Sequence, residues 1–180
     1  MKTALVLFAE GSEELEAITV VNILRRGGIN VTLAGLSSGV LRGSRGVNVM
    51  PDTTLEMALQ NDFDMIVLPG GQPGTNHLKA DPRVLKLVQK MAQQGKYVTA
   101  ICAAPSVLAT AGLLNDKQAT SFPGSLTPFP HVKQQHAAVI EDGKFITSRG
   151  PGTAMDFALT LVERLAGSAK RQEVEAGLQR

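Results

Sequence analysis

The sequence is poor in cysteine and in long apolar runs, and both shortages exclude classes of protein. One cysteine among 180 residues excludes an intramolecular disulfide and a multi-cysteine zinc site, and it is typical of a reducing compartment. No apolar run approaches the ~18 residues that a membrane-spanning helix needs. We therefore expect a cytoplasmic protein with no membrane partner.

An excess of charge of one sign is also lacking. The 18 Lys and Arg residues against 16 Asp and Glu give a net charge of +2, and no dense basic run is present. This balance argues against a nucleic-acid partner. The three histidines, His77, His131 and His136, lack the helix spacing of a metal site, and none adjoins the cysteine. We expect neither a metal nor an organic cofactor.

Short apolar runs bounded by Gly, Pro or acidic residues recur along the chain, and they predict strands buried on both faces. A chain of this length buries about 70% of its unfolded surface, so we expect one domain over residues 1–180. The predicted strands are residues 4–9, 31–35, 65–69, 97–101, 138–140 and 145–147.

Between these runs, apolar residues recur at three- and four-residue spacing, which predicts amphipathic helices ending at Gly27 and at Gly95. A last long helix is expected from about Thr153 to Gly167, with a shorter helix in the tail. Alternating strands and helices predict a doubly wound α/β fold, in which a mostly parallel sheet lies between helix layers. Its active crevice lies beyond the carboxyl ends of the strands.

The segment after the first predicted strand is acidic. Ser12 can cap the helix that follows, and the charges of Glu13 and Glu14 complement its positive N-terminal dipole. Glu16 is different, because its neighbour Ile18 belongs to an apolar helix face and the carboxyl can lie partly inward. Plain capping or solvation is the alternative for Glu16.

Glycines follow the predicted strand at 65–69. Gly70 and Gly71 let the backbone approach a ligand closely, and their N–H groups could form an oxyanion hole. A tight turn that uses glycine for its conformational freedom explains the pair equally well.

The strongest local pattern surrounds Cys102, which lies between a buried strand and a predicted helix. Ala100 and Ala104 stand two places before and after it, and a nucleophile elbow tolerates only small residues there. The N-terminus of a helix favours thiolate, so we expect a lowered pKa for Cys102. An inert buried cysteine is the alternative, which this context disfavours.

Four motifs occur in order, at residues 10–16, 68–71, 100–105 and 147–153. With them the chain resembles the ThiJ/PfpI family over nearly its whole length, in the branch of the Parkinson-associated deglycase and its bacterial relatives. The resemblance implies a flavodoxin-like fold, similar to class I glutamine amidotransferases. It also implies a homodimer, with the first helix and the Arg45 loop in the interface.

The resemblance further implies roles for individual residues. Cys102 is the expected nucleophile and oxidation-sensitive thiol, and Glu16 is the protonated acid hydrogen-bonded to its sulfur. Arg45 resembles an arginine that approaches the site across the dimer interface. The remaining implied residues are the backbone donors Gly70, Gly71 and Ala103, and the side chains Glu13 and Arg26, which would hold the arginine.

Two positions depart from related patterns. Relatives often carry a Thr-His-Pro step where this chain has Ser121-Phe122-Pro123, so proton transfer is expected to fall to Glu16. The peptidase-like branch carries histidine directly after the nucleophile, whereas this chain has Ala103. A peptidase or amidase is therefore the least favoured function.

The leading functional prediction is a cofactor-independent glyoxalase or deglycase. It would act on methylglyoxal-type dicarbonyls or their early adducts, with a role in oxidative and carbonyl stress. The alternative is a redox-sensing, redox-regulated chaperone with client proteins, in which Cys102 is oxidised to sulfinic acid.

Overall fold

The computed structural model describes residues 1–179 and shows a seven-stranded sheet with a layer of helices on each face. The strands are β1 (Thr3–Phe8), β2 (Asn30–Gly35), β3 (Leu41–Arg42), β4 (Asn48–Val49), β5 (Thr53–Thr54), β6 (Met65–Leu68), β7 (Tyr97–Ile101), β8 (Gln118–Ala119), β9 (Lys133–Gln134), β10 (Val139–Asp142) and β11 (Phe145–Ser148). The helices are α1 (Glu14–Arg26), α2 (Leu55–Ala58), α3 (Gly74–Ala80), α4 (Pro82–Gln93), α5 (Pro105–Thr110), α6 (Ala154–Ala166) and α7 (Ser168–Gly177).

The strand order of the large sheet confirms the doubly wound α/β prediction. The order is β10-β11-β7-β6-β1-β2-β5, and all neighbouring pairs are parallel except β10 with β11. From β1 the chain builds outward to β2 on one side and later to β6 and β7 on the other. The switch point between β1 and β6 therefore opens a crevice at the carboxyl ends of these strands.

The central strand β1 shows why the sheet is buried on both faces. Val6 and Phe8 pack in the layer with α1 and α6, whereas Leu5 and Leu7 pack in the layer with α4 and α5. All four side chains are 0% exposed. Alternate side chains of the strand thus belong to two apolar layers, which is the pattern of a parallel sheet covered by helices.

Most of the predicted helices and strands are confirmed, including α6 and the tail helix α7. The structure adds elements that periodicity did not predict: two small sheets (β3 with β4, and β8 with β9), the edge strand β5, and the helices α2 and α3. Two-residue strands carry too few side chains to show an alternating pattern. The β3–β4 hairpin matters below, because its turn carries Arg45.

The predicted cap of the first helix is wrong. Helix α1 begins at Glu14 with Glu13 at its N-cap, and no side chain caps it. Ser12 lies one residue too early, and its Oγ instead accepts a hydrogen bond from the Ala9 N–H at 3.0 Å. The hydroxyl closes the turn that leaves β1.

Within residues 1–179, no helix combines the length and the hydropathy needed to cross a bilayer.

Candidate active site

Three loops meet at the carboxyl edge of the sheet beside the switch point. The loop after β1 leads into Glu16, the loop after β6 contains Gly70 and Gly71, and β7 runs directly into Cys102. Because β6 lies between β1 and β7, these loops are neighbours in space as well as in strand order. The fold therefore brings together the residues that the sequence patterns singled out.

Cys102 adopts a backbone conformation that few residues other than glycine occupy. Its φ is +64°, in the left-handed region, which costs about 1 kcal/mol or more for a residue with a side chain. Two hydrogen bonds hold the residue there: its N–H donates to the Ser148 carbonyl at 2.9 Å, and its carbonyl accepts from the Phe122 N–H at 2.7 Å. Strain held in this way is a feature of nucleophile elbows.

Glu16 lies fully buried in the first turn of α1, at 0% exposure. Its Oε2 accepts a hydrogen bond from the Gly70 N–H at 2.7 Å, whereas Oε1 is buried without a hydrogen-bond partner among the described residues. The reason proposed from the sequence is wrong, because Ile18 is 43% exposed and lies on another face of the helix. Glu16 points inward with Ala17 and Val20 instead.

Gly70 lies beside both the carboxyl of Glu16 and the side chain of Cys102. A Cβ built on Gly70 would lie 2.6 Å from the Cys102 Cβ and 3.0 Å from the Glu16 Oε2. Only a residue without a side chain leaves room for the thiol and the carboxyl to face each other. Gly70 is thus needed for its small size, while its N–H is already committed to Glu16 rather than free for a substrate oxygen.

The thiol and the carboxyl influence each other's ionisation. Burial raises the pKa of Glu16 to about 7, although the hydrogen bonds from Gly70 and Cys102 oppose the rise. Burial also raises the pKa of the Cys102 thiol to about 12, and the charge of an ionised Glu16 adds to this. Two acids in contact resist losing both protons, so the pair keeps at least one proton at neutral pH.

The predicted lowering of the Cys102 pKa is therefore wrong in direction. Helix α5 begins only at Pro105 and has six residues, so its dipole is small at the sulfur. The N–H groups of Gly71 and Ala103 do favour the thiolate, but burial and the Glu16 carboxylate outweigh them. In the neutral range a thiolate forms when the remaining proton of the pair lies on Glu16.

Glu13 and Arg45 lie together at the mouth of the cleft. The Glu13 Oε2 accepts a hydrogen bond from the Ser44 Oγ at 2.6 Å and lies 3.8 Å from the Arg45 Nε. The Arg45 side chain is 80% exposed. Arg26 lies at the far end of α1, where its Nε donates to the Asn22 Oδ1 at 2.8 Å. Within one chain Arg26 does not line this cleft, and its role across an interface stays a prediction.

Glu14 was interpreted from the sequence only as a charge near the helix dipole, but the structure gives it a further role. It is 6% exposed, and its Oε1 accepts hydrogen bonds from the N–H groups of Arg45 at 3.0 Å and Val47 at 3.2 Å. Glu14 thus anchors the β3–β4 turn against α1. Sequence offers no signal for this contact, because the turn lies some thirty residues further along the chain.

The cleft beside Cys102 has a volume of about 340 Å³. Phe122 and Pro151 also line an adjoining hollow of about 300 Å³, which extends to Arg149. Among the described residues lining the cleft there is no histidine, and residues 1–179 contain no cluster of three or more His, Cys, Asp or Glu suited to a metal. The cleft is lined by Glu13, Ser44, Arg45, Gly71, Gln72, Cys102, Ala103, Phe122 and Pro151.

Comparisons with known proteins agree with this geometry. The model of the DJ-1/PfpI family matches residues 2–164. Protein dj-1beta of Drosophila melanogaster is 45% identical over 183 residues, covering 98% of this chain and 96% of the relative. The glutathione-independent glyoxalase DJR-1.2 of Caenorhabditis elegans is 36% identical over 172 residues, covering 94% of this chain and 91% of the relative. The structure of oxidized Toxoplasma gondii DJ-1 superposes with a TM-score of 0.95 at 34% identity, covering 99% of this chain and 98% of that one.

Proposed function

The chain belongs to the DJ-1/PfpI family, and we propose that it is a cofactor-independent, cysteine-dependent glyoxalase acting on methylglyoxal-type dicarbonyls. The observation that carries the proposal is the contact pair of Cys102 and Glu16 around Gly70. A strained, cleft-lining thiol and a buried acid with a pKa near neutrality supply a nucleophile and a proton carrier. The glyoxalase named among the relatives supports the same chemistry.

In the first step the Cys102 thiolate attacks the aldehyde carbon of methylglyoxal. A carbon–sulfur bond forms, and the carbonyl electron pair moves onto oxygen, which takes the proton held by Glu16. The N–H groups of Gly71 and Ala103, which favour negative charge on the sulfur, would steady the developing oxyanion. The product is a hemithioacetal on Cys102.

In the second step Glu16, now a carboxylate, removes the hydrogen from the carbon bonded to sulfur. The resulting enediolate takes this proton back from Glu16 at the neighbouring carbon. The hydroxyl proton on the first carbon moves to the oxygen of the second, which leaves a lactoyl thioester on Cys102. The aldehyde carbon is oxidised and the ketone carbon is reduced within one molecule, so no external oxidant or reductant is needed. Water then hydrolyses the thioester, releasing lactate and restoring the thiol.

The same site could act on early adducts of methylglyoxal with amines or thiols. Attack of Cys102 on the adduct carbon would expel the amine or thiol and give the same hemithioacetal. Such adducts also dissociate on their own, so removal of free methylglyoxal produces apparent repair. Glyoxalase chemistry is therefore the primary activity that we propose, and deglycase activity is secondary.

The test is conversion of methylglyoxal to lactate in amine-free buffer. We expect turnover by the native protein and loss of at least about 100-fold in Cys102→Ser and in Glu16→Gln, since each removes one member of the pair. Glu56→Gln is the matched control, because Glu56 is an exposed carboxylate on α2 outside the cleft. Unchanged turnover in Cys102→Ser would falsify the proposal.

Redox sensing is a second candidate function, favoured by the Oε1 of Glu16, which has no hydrogen-bond partner within residues 1–179 and lies near the single cysteine of the sequence. Two equivalents of peroxide would convert the Cys102 thiolate to sulfenate and then to sulfinate, each delivering one oxygen atom and leaving as water. A protonated Glu16 could then donate a hydrogen bond to the sulfinate. One of the similar structures is that of an oxidized protein.

Mass spectrometry after peroxide treatment tests the redox function. We expect Cys102 to gain two oxygen atoms in the native protein, and to pass more readily to the sulfonic acid in Glu16→Gln. An unmodified Cys102 would exclude a sensor. If oxidation occurs, its effect on the aggregation of unfolded client proteins tests the chaperone role.

A homodimer is the assembly that we propose. The apolar side chains of Ile18, Val47 and Met50 are 43%, 55% and 65% exposed around a hollow of about 800 Å³ between α1 and the β3–β4 hairpin. Arg26 lines the same hollow, which fits an interface role. Light scattering after size exclusion should give twice the chain mass, and Ile18→Glu should give a monomer. Leu59→Glu, also at an exposed apolar position, is the control.

A further inference from the structure

The cleft beside Cys102 has room for more than a methyl group next to the reacting dicarbonyl. Its volume of about 340 Å³ is at the lower end of the range typical for pockets that enclose drug-sized ligands. We propose that Phe122 determines specificity, and that the preferred substrates are α-oxoaldehydes with an aryl or similarly bulky apolar substituent. This inference rests on the proposed glyoxalase function.

The position of Phe122 is fixed relative to the nucleophile. Its backbone N–H donates to the Cys102 carbonyl at 2.7 Å, and its carbonyl accepts from the Ser125 N–H at 3.0 Å. A Cβ built on Gly150 would lie 3.5 Å from the Phe122 Cδ2, so the ring lies against the turn that precedes α6. The backbone of Phe122 is therefore held beside Cys102, and its ring lies against one neighbouring turn, although the residue is 49% exposed.

The lining of the cleft contains both polar and apolar side chains beside Cys102. Glu13, Arg45 and Gln72 provide polar groups, whereas Phe122 and Pro151 provide apolar surface. A dicarbonyl bonded to the sulfur carries two oxygens that need polar partners and one substituent that does not. A substituent that contacts the apolar part of the lining would lie against Phe122 or Pro151.

An aryl substituent gains more from this surface than a methyl group does. Stacked or edge-to-face aromatic pairs add stabilisation beyond the area that they bury. The adjoining hollow, which shares Phe122 and Pro151 with the cleft, gives such a substituent space to extend. The reaction itself is unchanged: an arylglyoxal plus water yields the corresponding 2-hydroxy acid.

The test compares kcat/KM for phenylglyoxal and for methylglyoxal in the native protein and in position-122 variants. We expect the native protein to prefer phenylglyoxal, and Phe122→Ala to lower the phenylglyoxal-to-methylglyoxal ratio about tenfold. Phe122→Tyr keeps the ring and should keep the ratio. Leu59→Ala truncates an exposed apolar side chain outside the cleft and should also keep it.

Phe122→Leu guards against a folding defect in the alanine variant, because it keeps apolar bulk and loses only the aromatic face. A ratio that is the same in the native, alanine and leucine forms, with turnover intact, overturns the role of Phe122 and leaves the glyoxalase function standing. Absence of turnover of both aldehydes by the native protein overturns the glyoxalase function itself, and this inference with it.

Discussion

Two carboxyl groups in the first turn of α1 have opposite environments although they are two residues apart. Glu14 faces the β3–β4 turn and Glu16 faces the Cys102 elbow, and both are nearly or fully buried, at 6% and 0% exposure. Burial acts to raise the pKa of Glu14, but hydrogen bonds from the N–H groups of Glu14, Arg45 and Val47 hold it below its ordinary value. Burial raises the pKa of Glu16 to about 7, since its carboxyl lies deeper among protein atoms than that of Glu14 and fewer donors oppose the rise.

Depth of burial and the supply of hydrogen-bond donors together decide whether each of these carboxyls is charged. The Glu14 carboxylate receives donors on both oxygens and works as a structural anchor. The Glu16 carboxyl receives one N–H and keeps one oxygen unpaired. An acid that is short of donors exchanges its proton near neutrality, which is what a proton carrier requires.

The largest effect that we expect concerns the stability of Glu16→Gln. The folded protein holds the Glu16 proton up to a pH of about 7, whereas an ordinary glutamate releases it near 4.5. The folded state thus binds more protons in this interval, and the associated stability, complete below 4.5, is lost as the pH rises through 7. As the pH is raised from about 4.5 to 8, the free energy of unfolding of Glu16→Gln should increase by about 3 kcal/mol relative to that of the native protein.

Urea unfolding at a series of pH values measures this difference. Groups common to both proteins cancel, so the slope against pH reports the substituted residue and the thiol coupled to it. Glu56→Gln, at an exposed site, should give a difference that does not vary with pH. A constant difference for Glu16→Gln as well would contradict the raised pKa of Glu16.

The second prediction uses two glycines, of which one lies beside the Cys102–Glu16 pair and the other beside Glu14. Gly70→Ala would force the new Cβ to within 2.6 Å of the Cys102 Cβ and 3.0 Å of the Ala103 N, so the pair must move apart. We expect kcat/KM for methylglyoxal to fall about 100-fold, as for misplacement of reacting groups by about 1 Å. Gly43→Ala, whose Cβ would meet the Glu14 carboxyl, is the matched variant.

Neither glycine has a positive φ, so alanine adds crowding without backbone strain at both sites. Both variants should lose about 1–3 kcal/mol of stability through overpacking. Only Gly70→Ala should lose most of its activity beyond what its stability explains. Equal losses of activity would mean that the two regions are not separate in function.

The third prediction tests the structural anchor. Glu14→Gln keeps the shape of the side chain but leaves one neutral acceptor for the Arg45 and Val47 N–H groups, and its NH2 donor replaces the oxygen that faces Ser44. The free energy of unfolding should fall by about 2 kcal/mol at neutral pH. Because the pKa of Glu14 is depressed, this contribution is present above its ordinary value of 4.5 and is lost as the pH falls through the folded value.

The pH dependence of Glu14→Gln should therefore have the opposite sign to that of Glu16→Gln. Urea unfolding over the acidic range measures it, with Glu56→Gln again as the reference. A stability difference that grows as the pH falls would show that Glu14 is not held as a carboxylate.

Much of this arrangement could be predicted from the sequence, because the relevant patterns are local. Apolar runs predict six of the seven strands of the large sheet, all except the two-residue β5, and small residues around Cys102 indicate the elbow whose left-handed φ the structure shows. Glu16 was singled out, but for a wrong reason. Its inward direction depends on which face of α1 meets the loop after β6, and that is a property of the tertiary packing.

The direction of the Cys102 pKa shift could not be predicted, since it depends on groups far apart in sequence. A helix N-terminus argued for a lowered value, but the burial of the thiol and its contact with Glu16 prevail. The anchor role of Glu14 was missed for a similar reason, because its partners lie on a hairpin too short for periodicity to reveal. Local patterns locate the site, and long-range contacts set its electrostatics.

The smallest expected effect is a step in the reactivity of the thiol. When the first proton leaves the pair, near pH 7, a fraction of the molecules carries thiolate on Cys102 with the remaining proton on Glu16. The rate of Cys102 alkylation should therefore rise about tenfold through this pH, level off, and rise again toward about 12. In Glu16→Gln the step near 7 should be missing, while Glu56→Gln should keep it.

Alkylation by iodoacetamide, followed by mass spectrometry at each pH, gives the rates. Identical profiles in the native protein and Glu16→Gln would mean that carboxyl and thiol titrate independently, and the contrast between Glu14 and Glu16 would then carry no catalytic meaning.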